Sequence, residues 1–130
     1  HVADRVIRLM LQKRIPVADA RVLVMGLAFK ENCPDLRNTR VTDIIDELKG
    51  AHTNIDVYDP WVDRAEAQRA YGIELCPEVR PGTYDAIVLA VAHHQFTDMG
   101  AAALRGLGKS SCVLFDVKNV LPRDAVDDRL

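Results

Sequence analysis

Two stretches of the chain carry apolar residues at helical spacing. From Val2 to Leu11 these residues cover a wide arc of one helix, and Pro16 ends the pattern. A second pattern follows a polar stretch and ends at Gly50. Its apolar positions fall at i, i+3, i+4 and i+7, namely Val41, Ile44, Ile45 and Leu48. The first part of the chain is therefore expected to contain two amphipathic helices.

Three continuous apolar runs are typical of strands that are buried on both faces of a parallel sheet. They read ARVLVMGLA (20–28), YDAIVLAVA (84–92) and SCVLFDVKN (111–119). Each run is rich in β-branched or long aliphatic residues, and each leads into a polar loop. These runs predict three buried strands.

Weaker patterns fill the intervals between these runs. TNIDVYDP predicts a short strand that Pro60 ends, and Val62 to Tyr71 predicts a helix closed by Gly72. IEL (73–75) predicts a brief extra strand, QFTDMGAAALRGL predicts a weak helix, and the charged tail after Pro122 is expected to fray. Because strands and helices alternate, we predict an α/β fold with a three-layer, doubly wound, Rossmann-like parallel sheet of about five strands.

Ligands of doubly wound sheets bind beyond the carboxyl ends of the strands, where the strand order reverses. Three loops leave such ends here: GLAFKEN, VAHHQF and DVKN. The first continues as GLAFKENCPDLRNT to Thr39, which is much longer than the two to six residues, roughly, that a strand-to-helix turn needs. We expect the three loops to converge on one crevice that holds a ligand.

Composition limits which partners that crevice can serve. The chain has 130 residues, 48% of them hydrophobic, so it can bury the core of one domain. A formal charge of −2 creates no overall positive field, so neither nucleic acid nor a membrane surface is an expected partner. No apolar run reaches the ~20 residues of a membrane span. Because the chain enters a helical pattern directly at His1, we expect it to be a fragment of a longer protein.

The cysteines Cys33, Cys76 and Cys112 are odd in number and widely spaced, without a C-x-x-C motif. This spacing argues against a disulfide framework and against a zinc cluster, and it fits a reducing cytoplasm. Cys33 lies between Lys30 and Arg37, which would favour a thiolate nucleophile, but no histidine can be assigned to it. We therefore favour a free thiol without a role.

Cations in the first loop could bind phosphate without a glycine-rich turn, since the G-x-G-x-x-G fingerprint is absent. Lys30 would act as a point charge and Arg37 as a bidentate fork. Both could equally pair with the acidic Glu31 and Asp35 and only hold the loop in shape. These two interpretations stay open on the pattern alone.

Two further residues strengthen the interpretation as a phosphate site. Lys118 directs a cation from the end of the last strand toward the same crevice, although a solvated lysine is the alternative. Phe29 could stack on a planar base, or it could belong to the core. Together, the converging cations and this aromatic ring predict a site for a phosphorylated, ring-bearing ligand.

Other polar residues near the strand ends are weaker candidates. His93 and His94 lack the spacing of metal ligands, so no metal is expected, and they could begin a helix or hydrogen-bond to the backbone. Asp59 sits where a dinucleotide fold places its ribose-binding acid. Followed by Pro60, however, it is more typical of a turn or a helix cap.

The chain resembles the C-terminal domain of the UDP-glucose/GDP-mannose dehydrogenase family. GLAFKENCPDLRNT resembles the family's G-x-[AST]-[FY]-K-x-[ND]-x-x-D-x-R loop, and DVYDP, YDAIVLAVAHHQF and FDVKNVL resemble its later landmarks. FKENCPDLRNT and DVKNVLPR resemble in particular the UDP-N-acetylhexosamine 6-dehydrogenases that serve bacterial capsule and O-antigen synthesis. The resemblance implies oxidation of C6 of a UDP-sugar to a carboxylate, with NAD, through a cysteine of the N-terminal domain. Cys33 does not match that cysteine, so this chain is expected to contain no catalytic residue.

The resemblance also implies roles for single residues. Phe29 and Lys30 match positions that contact the nucleotide-sugar, and Lys118 matches a substrate contact that is arginine in UDP-glucose enzymes. Arg37 matches an arginine that reaches across the domain cleft to NAD, while Asp35 is expected to hold Arg37 or the loop backbone.

The resemblance further divides the chain into two parts. Residues 1–15 would be the end of the helix that joins the two domains and forms the dimer core of the family. Residues 16–130 would be the UDP-sugar-binding domain. The expected partners are a UDP-sugar and the N-terminal NAD-binding domain, in a homodimer or higher oligomer. An alternative is a receiver-like signalling module or a stand-alone nucleotide sensor, but a receiver needs an aspartate on its third strand, and GIELCPEV has none.

Overall fold

Helices and strands alternate along the whole chain, and the computed structural model describes residues 1–130. The elements are α1 (Val2–Gln12), β1 (Arg21–Met25), α2 (Val41–Gly50), β2 (Asn54–Tyr58), α3 (Arg64–Tyr71), β3 (Tyr84–Leu89), α4 (His94–Arg105), β4 (Gly108–Asp116), a 3-10 turn (Arg123–Ala125) and β5 (Asp128–Arg129). None of the helices combines the length and the apolar character needed to cross a bilayer.

The five strands form one sheet in the order β2-β1-β3-β4-β5, and every pair is parallel. The predicted fold class is therefore confirmed. The strand order reverses between β1 and β3, where the chain crosses from one half of the sheet to the other. The carboxyl ends of β1 and β3 consequently border a crevice of the kind in which doubly wound sheets bind ligands.

Two apolar cores cover the two faces of the sheet. Val22 and Val24 of β1 face the layer that contains α1 and α2, whereas Leu23 and Met25 face α4. Each strand contributes alternate side chains to opposite faces, and both faces are covered by helices. This is why residues 22–25 of β1, 86–89 of β3 and 112–115 of β4 are apolar without alternating polar positions.

The strand membership differs from the prediction at two places. IEL (73–75) does not form a strand, because only Leu75 pairs, through a single bridge to Val57, and Pro77 follows without a backbone N–H. The tail after Pro122, which was predicted to fray, instead supplies β5. The expected number of strands was right, but the fifth strand is in the tail.

Asp127 holds that tail against the rest of the domain. Its carboxylate lies 2.7 Å from Lys13 Nζ and 3.0 Å from Arg105 Nη2, and it accepts the Leu114 backbone N–H at 2.7 Å. Burial raises the pKa of Asp127, but the hydrogen bonds from Lys13 and Leu114 and the nearby charges outweigh that effect and lower it below its usual value. Charge pairing thus orders a segment that has few apolar residues.

Gly26 allows the end of β1 to approach the loop that follows β3. Its φ is +99°, and a Cβ atom there would lie 2.5 Å from the Cβ of Val91. Its N–H donates to the Tyr58 carbonyl at 2.8 Å. Only glycine fits both the backbone angle and the space, so this residue sets how closely the loops of the crevice meet.

Replacing the carboxylate in Asp127→Asn should lower the free energy of unfolding by about 1–3 kcal/mol at neutral pH, because charge-assisted hydrogen bonds are lost. The pKa of Asp127 is lower in the folded state than in the unfolded state. Its contribution is therefore complete above the unfolded pKa and is lost as pH falls through the folded one. Urea unfolding at neutral pH and at about pH 3 measures the difference, which should shrink in acid. The exposed Asp124, whose carboxylate makes no hydrogen bond, supplies the control Asp124→Asn, and equal losses for both variants would contradict this role.

Substituting Gly26→Ala should destabilise the chain by about 2–5 kcal/mol, since backbone strain and a steric clash add together. Gly82→Ala separates the two causes, because Gly82 also has a positive φ (+69°) but no atom lies within 4 Å of its added Cβ. The control should cost only about 1 kcal/mol. Chemical unfolding of both variants is the measurement, and an equal cost would show that the approach to Val91 is unimportant.

Candidate functional site

A cavity of about 180 Å³ lies at the carboxyl ends of β1, β3 and β4, where the strand order reverses. Phe29 from the loop after β1, Val91 from the loop after β3 and Lys118 from the loop after β4 all line it. Arg40 and Ile44 line it from the start of α2. Seven of its ten lining residues are hydrophobic, so the cavity suits a flat, weakly polar ring with charged groups at its margin.

The three loops expected to converge do meet at this edge of the sheet. Phe29 and Lys118 share the cavity, and Phe29 is 52% exposed, so part of this residue is accessible to a ligand. Lys30 is exposed beside Phe29 without lining the cavity, and its side chain makes no ion pair. Lys118 also lines a neighbouring cavity of about 490 Å³, to which Glu31 contributes. Lys30 and Lys118 are therefore on the same edge of the sheet.

Asp35 and Arg37 form a local pair within the first loop. The Asp35 carboxylate accepts the Arg37 backbone N–H at 2.9 Å and, through both oxygens, its guanidinium Nε and Nη2 at 3.0 Å each. These hydrogen bonds from Arg37 hold the pKa of Asp35 below its ordinary value. The Asp35 carbonyl accepts the Phe29 N–H at 2.7 Å, so Asp35 holds both Arg37 and the loop backbone. The Arg37 side chain stays 86% exposed.

Asp59 is a buried carboxylate that fixes the start of the same loop. Its Oδ2 accepts the N–H groups of Leu27 at 2.7 Å and Ala28 at 3.0 Å, and its Oδ1 accepts that of Trp61 at 2.8 Å. Burial raises the pKa of Asp59, but the hydrogen bonds from His93 and the three amides outweigh burial and lower it. Asp59 has the predicted turn role, because its Oδ1 accepts the backbone N–H of Trp61 two residues later. The ribose-binding alternative does not fit, because the carboxylate is fully buried and its oxygens are already occupied.

His93 connects this carboxylate to the middle of the loop. Its Nε2 lies 3.0 Å from Asp59 Oδ2, and its Nδ1 lies 2.9 Å from the backbone nitrogen of Asn32. Because the Asn32 N–H can only donate, Nδ1 must accept and Nε2 must carry the proton. His93 is therefore a neutral imidazole of defined tautomer, held between a carboxylate and an amide.

No motif in the sequence indicates that His93 and Asn32 bond to each other. The two residues are separated by 61 positions, and no spacing rule joins them. The one available sign was a pair of histidines directly after a buried strand, for which hydrogen bonding to the backbone was one of the expected alternatives. The His94 side chain is largely exposed, with Nδ1 at 3.6 Å from Asp98.

Asp116 shapes the loop that carries Lys118, and its carboxylate is also fully buried. Oδ1 accepts the Lys118 backbone N–H at 3.0 Å, while Oδ2 accepts those of Val120 and Leu121, both at 2.8 Å. The loop therefore folds around a charged group that faces inward. The Lys118 side chain is left exposed at the cavity, with no ion pair of its own.

The residues needed for a disulfide, a metal site or a phosphoryl-accepting aspartate do not come together in this structure. The three cysteines are free, and no group of three or more His, Cys, Asp or Glu side chains is arranged to hold a metal ion. The third strand is β3 and not IEL, and it ends at Leu89 and is followed by Ala90 and Val91, without a carboxylate at that end. The receiver-like alternative therefore lacks the aspartate that would accept a phosphoryl group.

Comparison with known proteins agrees with this geometry. The sequence model of the "UDP-glucose/GDP-mannose dehydrogenase family, UDP binding domain" matches residues 23–123. The whole chain is 47% identical to a UDP-N-acetyl-D-glucosamine 6-dehydrogenase of Salmonella typhi and 50% identical to one of Pseudomonas aeruginosa, and it spans 31% of the length of each. The structure of an NDP-N-acetyl-D-galactosaminuronic acid dehydrogenase from Methanosarcina mazei has the same fold, with a TM-score of 0.83 at 23% identity over 96% of this chain and 26% of that one.

The family match covers most of the chain, and the elements it covers include every loop that borders the cavity. The chain therefore belongs to the UDP-glucose/GDP-mannose dehydrogenase family and corresponds to the UDP binding domain of that family.

Proposed function

We propose that this chain is the UDP-sugar-binding domain of an NAD-dependent UDP-sugar 6-dehydrogenase, which oxidises C6 of a UDP-hexose or UDP-N-acetylhexosamine to a carboxylate. The observation that supports this most is the cavity at the strand-order reversal, which is lined by the half-exposed Phe29 and by Lys118, a lysine without an ion pair. A nucleoside diphosphate combines a flat base with two negative phosphates. The site offers a surface for each of these parts.

Charge at the site is arranged to attract a diphosphate. Neither Lys30 nor Lys118 has an acidic side chain within ion-pair distance, so both ammonium groups are available to an anion. Two of the nearby acids are engaged elsewhere, because Asp35 pairs with Arg37 and Asp116 is buried under its own loop, and the third, Glu31, makes no ion pair with either lysine. A lysine at position 118 contributes charge without the bidentate geometry of an arginine. Phe29 would stack on the uracil ring.

The remaining parts of the reaction belong to another region of the protein. The chain covers about a third of its relatives, and it has no glycine-rich dinucleotide fingerprint. NAD would be bound mainly by the N-terminal domain, which also supplies the catalytic cysteine, and Arg37 would reach across the cleft to the cofactor. Alone, the chain should bind UDP weakly and catalyse nothing, since orientation between the domains places C6 against the nicotinamide.

The first helix suits a connection to that other domain. α1 packs in the core through Val6 and Met10, but Leu11 near its end is 62% exposed. We assign residues 1–15 to the end of an interdomain and dimerisation helix and residues 16–130 to the UDP-sugar-binding domain. The full protein would be a homodimer or higher oligomer in the cytoplasm. Its substrate would be a UDP-N-acetylhexosamine, as the names of the relatives from Salmonella typhi and Pseudomonas aeruginosa suggest. A role in surface polysaccharide synthesis is what the resemblance of its loop motifs implies.

Removing the ammonium group in Lys30→Ala, within the full-length protein, should lower kcat/KM for the UDP-sugar about tenfold or more, as expected when a charge-assisted phosphate contact is lost. Steady-state NADH formation is the measurement. Lys49→Ala is the matched control, because Lys49 is equally exposed but lies in the last turn of α2, away from the cavity. Equal kinetics for the two variants would refute the phosphate contact.

The substitution Arg37→Ala should weaken the binding of NAD more than the binding of the UDP-sugar. The Arg37 guanidinium projects from the loop and does not line the cavity. We expect the KM for NAD to rise at least about fivefold, with a change of less than about twofold in the KM for the UDP-sugar. Initial rates with each substrate varied in turn measure both constants. A larger rise in the KM for the UDP-sugar than in the KM for NAD would contradict the assignment of Arg37 to NAD.

A further inference from the structure

The middle of the first loop is attached to the domain at a single residue. Between Phe29 and Asp35, Asn32 is the only residue that makes a hydrogen bond to the rest of the protein. Neither Lys30 nor Glu31 has an ion pair. The position of residues 30–34 therefore depends on the contacts of Asn32.

Those contacts form a reciprocal pair with the loop after β3. The Asn32 backbone N–H donates to His93 Nδ1 at 2.9 Å, and the Asn32 side-chain Oδ1 accepts the His94 backbone N–H at 2.9 Å. Asn32 has a φ of +54°, a left-handed conformation that asparagine tolerates better than most residues. We call these two hydrogen bonds the Asn32 clasp.

The clasp is anchored on a rigid base. His93 is fully buried, and its Nε2 is hydrogen-bonded to Asp59. The centroid of its ring lies 6.0 Å from the ring centroid of Trp61 and 5.5 Å from that of Phe96. Asp59 also binds the amides of Leu27 and Ala28. One buried network thus holds the chain directly before Phe29 and, through His93, at Asn32, two residues after Lys30.

We propose that Asn32 and His93 are positioning residues that set where Phe29 and Lys30 stand relative to Lys118, and that they thereby determine the affinity for the diphosphate ligand. This inference rests on the proposed function for the identity of the ligand. Neither residue needs to touch that ligand. Their effect is to spare it the entropy cost of ordering the loop.

Asn32→Gly in the full-length protein removes the side-chain half of the clasp, and glycine keeps the left-handed backbone available. Asn32→Asp retains an acceptor for the His94 N–H and should restore binding. Asn38→Gly is the matched control, because Asn38 lies in the same loop, is exposed, has a φ of +63° and makes no side-chain hydrogen bond. His93→Gln tests the other half, since glutamine places its polar atoms one bond farther from Cβ than Nδ1 and can still donate to Asp59.

Two measurements separate the clasp from the identity of the ligand. Hydrogen exchange by mass spectrometry should show faster deuterium uptake across residues 27–36 in Asn32→Gly and in His93→Gln, with no change in Asn38→Gly. Calorimetric titration with UDP should give a Kd about threefold to tenfold higher for the first two variants, and kinetics should show a raised KM for the UDP-sugar with kcat within about twofold.

The possible results are distinct. Unchanged exchange and an unchanged Kd in Asn32→Gly would overturn the inference, and so would an equal Kd shift in Asn38→Gly. Faster deuterium uptake with an unchanged Kd for UDP would show that the clasp orders the loop, and it would refute a role of the clasp in positioning the ligand-binding residues. If the wild-type protein binds no UDP, the proposed function and the ligand part of the inference both fail, and the exchange data still decide whether the clasp orders the loop.

Discussion

The carboxylate of Asp59 is buried within the loops of the candidate site, and the arrangement of those loops depends on keeping it satisfied. Moving a charge out of water costs several kcal/mol unless donors replace the lost hydration. Here three backbone amides and the His93 Nε2–H supply that replacement. Because the donors come from the loops after β1, β2 and β3, satisfying one charge brings three chain segments into a fixed arrangement.

The same principle recurs on the other side of the cavity. Asp116 is buried at the end of β4 and organises its loop through three backbone amides. The acids at the strand ends thus point inward and build the loops, while the lysines on those loops point outward. This division explains how a chain with a net charge of −2 can present a local positive site. The carboxylates of Asp35, Asp59 and Asp116 near the cavity are occupied by the protein's own donors.

Residues far apart in the sequence cooperate at the opposite end of the domain as well. Asp127 joins α1 through Lys13 and the end of α4 through Arg105, so the last residues of the chain become the fifth strand. In the proposed enzyme, α1 would continue toward the NAD-binding domain. The ion pair between Lys13 and Asp127 lies at the other end of α1, away from that connection.

The local sequence specifies the alternation of strands and helices, because the apolar period of each element is a local property that about ten residues define. It also determined that Phe29, Lys30 and Lys118 lie on loops at one edge of the sheet, since parallel strands bring their carboxyl ends together. The roles of Asn32, His93 and Asp116 and the pairing of the tail arise only in the folded chain. Their partners come from other segments, and a hydrogen bond or an ion pair forms only once packing has fixed both groups and excluded water.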